Sequence, residues 1–266
     1  MARVITITSG KGGVGKTTTS ANLGTALAMQ GARVAVVDAD IGLRNLDVVM
    51  GLENRIVYDL VDVVEGRARL RQALIKDKRL PELCLLPAAQ TRDKDAVSPD
   101  QMIDLTNQLR AEFDFVLIDS PAGIEGGFRN AISGADEVII VTTPEVSAVR
   151  DADRIVGLVE AAEKGPPALI VNRIKSRLVE RGEMLSVEDV LELLAIRLVG
   201  IVPDDETIVT STNRGEAAVY DPQSRAGKAF LNIARRLAGE DVPFMAIQEN
   251  SGLMDRLLGM FGRRRT

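Results

Sequence analysis

A chain of 266 residues, 45% of them hydrophobic and with a net charge of −5, can fill one large α/β core and has little general affinity for nucleic acid. It contains no histidine, which excludes a histidine general base, metal ligand or pH switch. Tryptophan is absent and aromatic residues make up only 3%, so a base-stacking platform is not expected; the lone cysteine, Cys84, forms no internal disulfide and suits a cytosolic setting.

The first predicted element is an apolar strand over Arg3–Thr8 that begins at once, leaving no room for a signal peptide. Ser9 to Thr18 follow as Ser-Gly-Lys-Gly-Gly-Val-Gly-Lys-Thr-Thr, and Gly10–Thr17 fit the phosphate-loop pattern G-x-x-x-x-G-K-[ST]. An alanine-rich helix is expected from Thr17 to about Gln30, which completes the strand–loop–helix context. Gly10, Gly12, Gly13 and Gly15 allow the backbone to curl with its N–H groups pointing inward at phosphate oxygens. Lys16 is expected at the β- and γ-phosphates and the Thr17 hydroxyl at Mg²⁺, so that Gly10, Lys11, Gly12, Gly13, Val14, Gly15, Lys16, Thr17 and Thr18 form the nucleotide-binding segment. Lys11 is the unusual member. It lies at the mouth of the loop, and on the sequence alone it reads either as a solvated charge or as a group reaching for something outside its own site.

Further apolar, β-branched runs occur at Arg33–Asp38, Leu83–Pro87, Phe115–Asp119, Glu137–Thr142, Ala168–Asn172 and Leu198–Pro203. Amphipathic stretches lie between them at Gln101–Ala111, Ala148–Ala162, Val187–Leu194 and Ser224–Leu237. Short buried strands joined by helices predict an α/β fold, a mostly parallel twisted sheet covered on both faces. Ligands of such sheets bind at the carboxyl ends of the strands. Asp38 and Asp40 end the second strand, one residue apart, and point the same way toward the expected γ-phosphate. Asp119 ends the strand Phe115–Asp119 in the Walker B arrangement of a magnesium-holding carboxylate. Gly123, Gly126 and Gly127 read as a flexible loop after it, able to sense the γ-phosphate. Asn172 closes one later strand, and Pro203, Asp204 and Asp205 follow another. Cys84, inside Leu83–Leu86, reads as a small buried hydrophobe.

Residues 1–240 are expected to form the ATPase domain, 241–250 a linker and 251–266 a separate amphipathic segment. Leu253, Met254, Leu257, Leu258 and Phe261 make one stripe of a helix, followed by Arg263, Arg264 and Arg265. A helix docked on the protein's own core would show the same stripe. Pro243 in the preceding stretch and the terminal arginines favour a helix lying in an anionic membrane surface. Half-burying its large apolar side chains gives about 4–8 kcal/mol gross, much of it offset by ordering, so one copy holds a membrane weakly.

The string Lys11-Gly-Gly-Val-Gly-Lys-Thr17 resembles the deviant Walker A ATPases, the ParA/MinD group. The run Asp38–Leu60, the run Thr143–Arg154 and the tail are similar to the septum-site-determining members of that group over nearly the whole length. The resemblance implies a P-loop NTPase that binds ATP and Mg²⁺ and hydrolyses ATP slowly, under a partner's stimulation. It implies a homodimer in which Lys11 crosses to the partner's nucleotide, so that Lys11 joins Lys16, Asp40 and Asp119 as catalytic. It assigns Asp40 to orienting the attacking water, Asp38 with Thr17 and Asp119 to the metal neighbourhood, and Asn172, Pro203 and Asp204 to the purine. The implied setting is the cytoplasm and the cytoplasmic face of the inner membrane. The implied partners are the division inhibitor MinC, the stimulator MinE or a substitute, and anionic lipid. Arg44, Glu145, Asp151 and Asp153 are candidate partner contacts.

Two tails on one dimer gain by effective concentration, which would make membrane residence depend on ATP. Two rivals share the loop. A DNA-partition ATPase would need a basic surface in place of the tail, and a flagellar-placement ATPase would differ chiefly in its partners. A nitrogenase-type iron protein needs paired cysteines that Cys84 alone cannot supply.

Overall fold

The computed structural model describes residues 2–93 and 96–245. In chain order the strands are β1 (Arg3–Thr8), β2 (Val34–Asp38), β3 (Ile75–Lys76), β4 (Leu83–Leu86), β5 (Phe115–Asp119), β6 (Glu137–Thr142), β7 (Ala168–Ile174) and β8 (Arg197–Pro203). The helices are α1 (Lys16–Met29), α2 (Leu46–Val49), α3 (Leu60–Val64), α4 (Leu70–Ala73), α5 (Pro99–Arg110), α6 (Gly126–Ser133), α7 (Val146–Ala161), α8 (Ser176–Glu180), α9 (Val187–Leu194), α10 (Thr207–Asn213) and α11 (Arg225–Leu237). They build an eight-stranded sheet in the order β3-β4-β2-β5-β1-β6-β7-β8, parallel except for the short edge strand β3.

Strand periodicity divides the core. On β1, β2, β5 and β6 the residues Ile5, Ile7, Val34, Val36, Leu117, Ile139 and Val141 face one layer, where α1 and α11 pack. Val4, Ala35, Val37, Val116 and Ile118 face the other, against α3 and α5, and further along the sheet Val138 and Ile140 meet α7 and α9. Each strand is thus buried on both sides, which is why these runs are continuously apolar rather than alternating. Cys84 is buried with the second set, as a small hydrophobe would be.

β1 lies near the centre between β5 and β6; the chain runs from it through α1 to β2 on the β5 side, and later crosses from β5 over to β6 on its other side. That reversal opens a crevice at the carboxyl end of β1, where the glycine loop begins. The register places Asp119 beside both Ile7 and Asp38. The carboxylates ending β2 and β5 are therefore side by side below the loop.

Three local features differ from the sequence reading. Gly126 and Gly127 do not extend the loop; they open α6, whose Phe128, Ala131 and Ile132 are buried. A side chain at Gly127 would place Cβ 2.7 Å from Pro121 Cγ, so glycine there permits close packing rather than flexibility. Strand β7 runs on to Ile174 through a bulge, with Arg173 in the left-handed region at φ 57°. Residues 241–245, at the start of the expected linker, lie on the domain. The Arg236 guanidinium donates to the carbonyls of Val242 (2.7 Å), Pro243 (2.7 Å) and Val199 (3.2 Å), and stacks on Phe244 at 4.3 Å. Val242 is buried by this clamp. Among the described residues no helix is long and apolar enough to cross a membrane.

Candidate active site at the carboxyl end of the sheet

The loop between β1 and α1 adopts the conformation its glycines allow. Gly13 (φ 78°) and Gly15 (φ 99°) are left-handed, which turns consecutive N–H groups toward one side. Helix α1 begins at Lys16 with no acidic residue in its first turn, so the positive end of its dipole is left for an anion. Asn172, from β7, donates its amide to the Val14 carbonyl at 2.8 Å and pins the loop. The pinning is tight: a Cβ on Gly15 would stand 2.4 Å from Asn172 Nδ2. Gly15→Ala therefore combines backbone strain with a clash, about 2–4 kcal/mol. Nucleotide affinity is expected to fall by roughly 30-fold or more. Titration with a fluorescent nucleotide, on protein whose circular dichroism is unchanged, checks this.

Lys16 is buried at the foot of the loop, where loss of solvent pushes its pKa down while Asp119 and Asp40 oppose the shift. Asp119 is fully buried. Burial pushes its carboxyl up to about 6, against the pull of hydroxyl hydrogen bonds from Thr17 and Ser20 and of the Lys16 charge. Asp38 is pushed up to about 7, by burial first and by Asp119 second. Its oxygens already accept from the backbone: Asp40 N–H to Oδ1 at 3.0 Å, and the Asn45 and Leu46 N–H groups to Oδ2 at 3.2 Å. Asp38 thus shapes the loop that presents Asp40 and lends it negative charge. After β5 the Gly123 N–H donates to the Ser9 carbonyl at 3.1 Å, tying the loop after Asp119 to the mouth of the glycine loop.

These residues fit a magnesium nucleotide. Asp38, Asp40 and Asp119 interact electrically with one another, and Lys16 is the lysine beside Asp119 and Asp40. That excess of negative charge suits a divalent cation. No cluster of three or more acidic, cysteine or histidine side chains forms a metal cage among the described residues. Magnesium does not require one; it is commonly held by one or two protein groups, water and phosphate.

Next to Gly15 and Thr18 a cavity of about 590 Å³ opens, with Asn172, Pro203 and Asp204 in its wall together with Met184. The structure thus brings together every residue expected at the purine. Asp204 pairs with Lys175 at 3.3 Å. Asp205 has a structural task, accepting from the N–H groups of Thr207 and Ala226 and from Ser224 Oγ.

Lys11 stands apart. Its ammonium lies 3.2 Å from Ser147 Oγ and 3.8 Å from Glu145 Oε2, at the start of α7, and its side chain is 45% exposed. Glu145 is thereby engaged with Lys11, and Arg44 turns inward to the buried Asp47 at 3.0 Å. Asp153 is exposed on α7, whereas Asp151 is half-buried, with its backbone packed against Gly10 of the glycine loop. Ser20 is a site residue that the motif does not contain: its hydroxyl lies 3.0 Å from Asp119 Oδ1. The available signal was its spacing, three residues after Thr17 on the same face of α1. The expected membrane residues Leu253, Met254, Leu257, Leu258, Phe261, Arg263, Arg264 and Arg265 lie outside the described residues.

Comparison with known proteins agrees with this geometry. Residues 5–219 match the family model for the CobQ/CobB/MinD/ParA nucleotide binding domain. The septum site-determining protein MinD of Bacillus subtilis is 58% identical, covering 99% of this chain and 100% of its own. The chain solved in the MinC:MinD cell division complex of Aquifex aeolicus superposes with a TM-score of 0.88 at 50% identity, covering 93% of this chain and 100% of that one. The Pyrococcus horikoshii MinD structure, solved with Mg-ADP, matches at 31% identity and a TM-score of 0.79, covering 89% and 96%. A phosphate loop over paired strand-end carboxylates, and similarity along essentially the entire length, mean that this chain belongs to the MinD family of septum site-determining ATPases.

Proposed function

We propose that the chain is an ATP-dependent membrane switch that positions the division site. Two ATP-bound copies dimerise, rest peripherally on the cytoplasmic face of the inner membrane, and hold the division inhibitor MinC there. The observation behind this is the similarity, over nearly the whole length of both, to the chain of the MinC:MinD complex. Slow hydrolysis, stimulated by MinE or a substitute, ends the residence.

The residues divide the work as follows. The loop amides and the start of α1 bind and orient the phosphates, and Lys16 neutralises the β- and γ-phosphates from below. Thr17, Asp119 and the charge of Asp38 hold Mg²⁺, which when bound offsets the charge developing on the transferred phosphoryl group. Asp40 orients the attacking water, a role supported by its place on the loop that Asp38 fixes. Asn172, Pro203 and Asp204 receive the purine. Lys11 acts across the dimer, on the partner's nucleotide. Its present contacts support this role, because an exposed ion pair of this kind contributes about 0–1 kcal/mol and is readily exchanged.

The test is sedimentation with anionic vesicles in ATP, in ADP and without nucleotide, with and without added MinC. The intact chain should bind in ATP and bring MinC down with it. A chain ending at Asn250 should stay in solution, having lost the apolar stripe and the arginines, each of which adds roughly 1 kcal/mol near the surface. Equal binding in ATP and ADP would sink the switch. Binding that carries no MinC would favour the flagellar-placement relative.

A further inference from the structure

We infer that Ser20 is a positioning residue for Asp119, setting the rotation of that carboxylate and hence the affinity of the site for its divalent cation. This rests on the nucleotide-site reading above.

Ser20 is fully buried one turn into α1. Its hydroxyl has two acceptors at the same distance, the Lys16 carbonyl and Asp119 Oδ1, each at 3.0 Å. One hydroxyl carries one proton. A helical serine bonded only to the carbonyl four residues back would be an ordinary satisfied side chain. The carboxylate is the stronger acceptor, since hydrogen bonds to ionised groups are roughly twice as strong as neutral ones. The Thr17 hydroxyl also acts on Asp119, pulling its pKa down against burial. The two hydroxyls lie three residues apart on one face of α1, and that of Ser20 is the one at a defined 3.0 Å from Oδ1. Thr17 is the motif's cation-facing hydroxyl. Ser20 lies deeper and acts through Asp119 alone. With Oδ1 held by Ser20, the second oxygen has a fixed direction, and a buried carboxylate without that tie would be free to rotate about its last bond.

The experiment measures binding of a fluorescent ADP analogue to the full chain across a magnesium series and in excess EDTA. Ser20→Ala is expected to leave the magnesium-free affinity within about twofold and to raise the magnesium concentration for half-maximal tightening by about five- to tenfold. Ser20→Thr, which keeps the hydroxyl, is expected to restore most of it. In an Asp119→Ala background Ser20→Ala should have little further effect, because no side-chain oxygen remains there to accept from Ser20. Equal weakening with and without magnesium, or additive effects in the double variant, would overturn the inference. Circular dichroism melts of each variant separate a folding defect from either outcome. If the unmodified chain shows no magnesium dependence at all, the nucleotide-site reading and this inference fall together. If it does and Ser20→Ala leaves that dependence intact, only this inference falls.

Discussion

Lys11→Ala is expected to bind nucleotide within about twofold of the unmodified chain, because the contacts it loses are an exposed hydrogen bond and an exposed ion pair at the start of α7. The same variant should lose ATP-dependent dimerisation and at least a hundredfold in turnover. The asymmetry follows from where the lysine works. In the single chain its ammonium is in water. In the proposed dimer it would be desolvated against a partner's phosphates, and losing one member of such a buried pair costs about 3–5 kcal/mol. Light scattering with ATP and ADP, beside a steady-state phosphate-release assay, reads both halves. A monomer with normal turnover would return Lys11 to a surface role. A variant that no longer bound nucleotide would mean that Lys11 serves its own loop.

The second large effect concerns Asp119, and its sign is less intuitive. Asp119→Asn should abolish hydrolysis while making the nucleotide-free protein more stable at neutral pH. The carboxyl has a folded pKa raised to about 6 from an ordinary value near 3.8, with burial as the main cause. An acid whose pKa is raised by folding contributes its stability below the unfolded value. That contribution is lost as pH climbs through the folded one. Above about pH 6 the folded chain therefore holds an ionised buried carboxylate at a cost, and the amide avoids it. Each tenfold change in the acid's ionisation equilibrium is worth about 1.4 kcal/mol, so the gain at pH 8 is about 2 kcal/mol once the neighbouring Asp38 carboxyl is allowed for. In a chain of this size that moves the melting midpoint by roughly 5 °C. The advantage should shrink as the pH falls from 6 toward 4. Thermal melts of both proteins at pH 4.5 and pH 8, without nucleotide, check the sign. A destabilised variant at pH 8 would mean that the Lys16 attraction outweighs burial. The arrangement is one that a cation relieves, so the site trades resting stability for metal affinity.

Much of the site was legible because phosphate chemistry imposes spacing on the backbone. The loop, the lysine and the hydroxyl from Gly10 to Thr17 are contiguous, so a linear reading captures them. Asp38 and Asp119 were legible as strand ends, although their adjacency required the order β2-β5-β1, which no local pattern encodes. Residues acting through space were not legible in the same way. Asn172 reads as a strand terminus or a purine contact, and its hold on the Val14 carbonyl appears only when β7 reaches the loop. Ser20 reads as one more small residue in an alanine-rich helix. Gly126 and Gly127 misled for a physical reason: glycine marks both flexibility and close packing, and Pro121 decides between them. Of the expected linker, residues 241–245 lie against the domain because the arginine fork of α11 binds their backbone, a contact that Pro243 gave no sign of in the sequence.

That fork has a mechanical consequence. The Arg236 clamp fixes the path as far as Phe244, so the chain leaves the domain from one spot beside β8 rather than from the end of α11. Only six residues, 245–250, separate that spot from the segment proposed to lie on the membrane. Whatever their conformation, six residues reach at most about 22 Å. If that segment rests on a membrane, as proposed, a leash that short would not let the body tumble above the surface. It restricts which side of the molecule looks down and which looks out. The faces still open to soluble partners would then be chosen by a guanidinium far from the nucleotide.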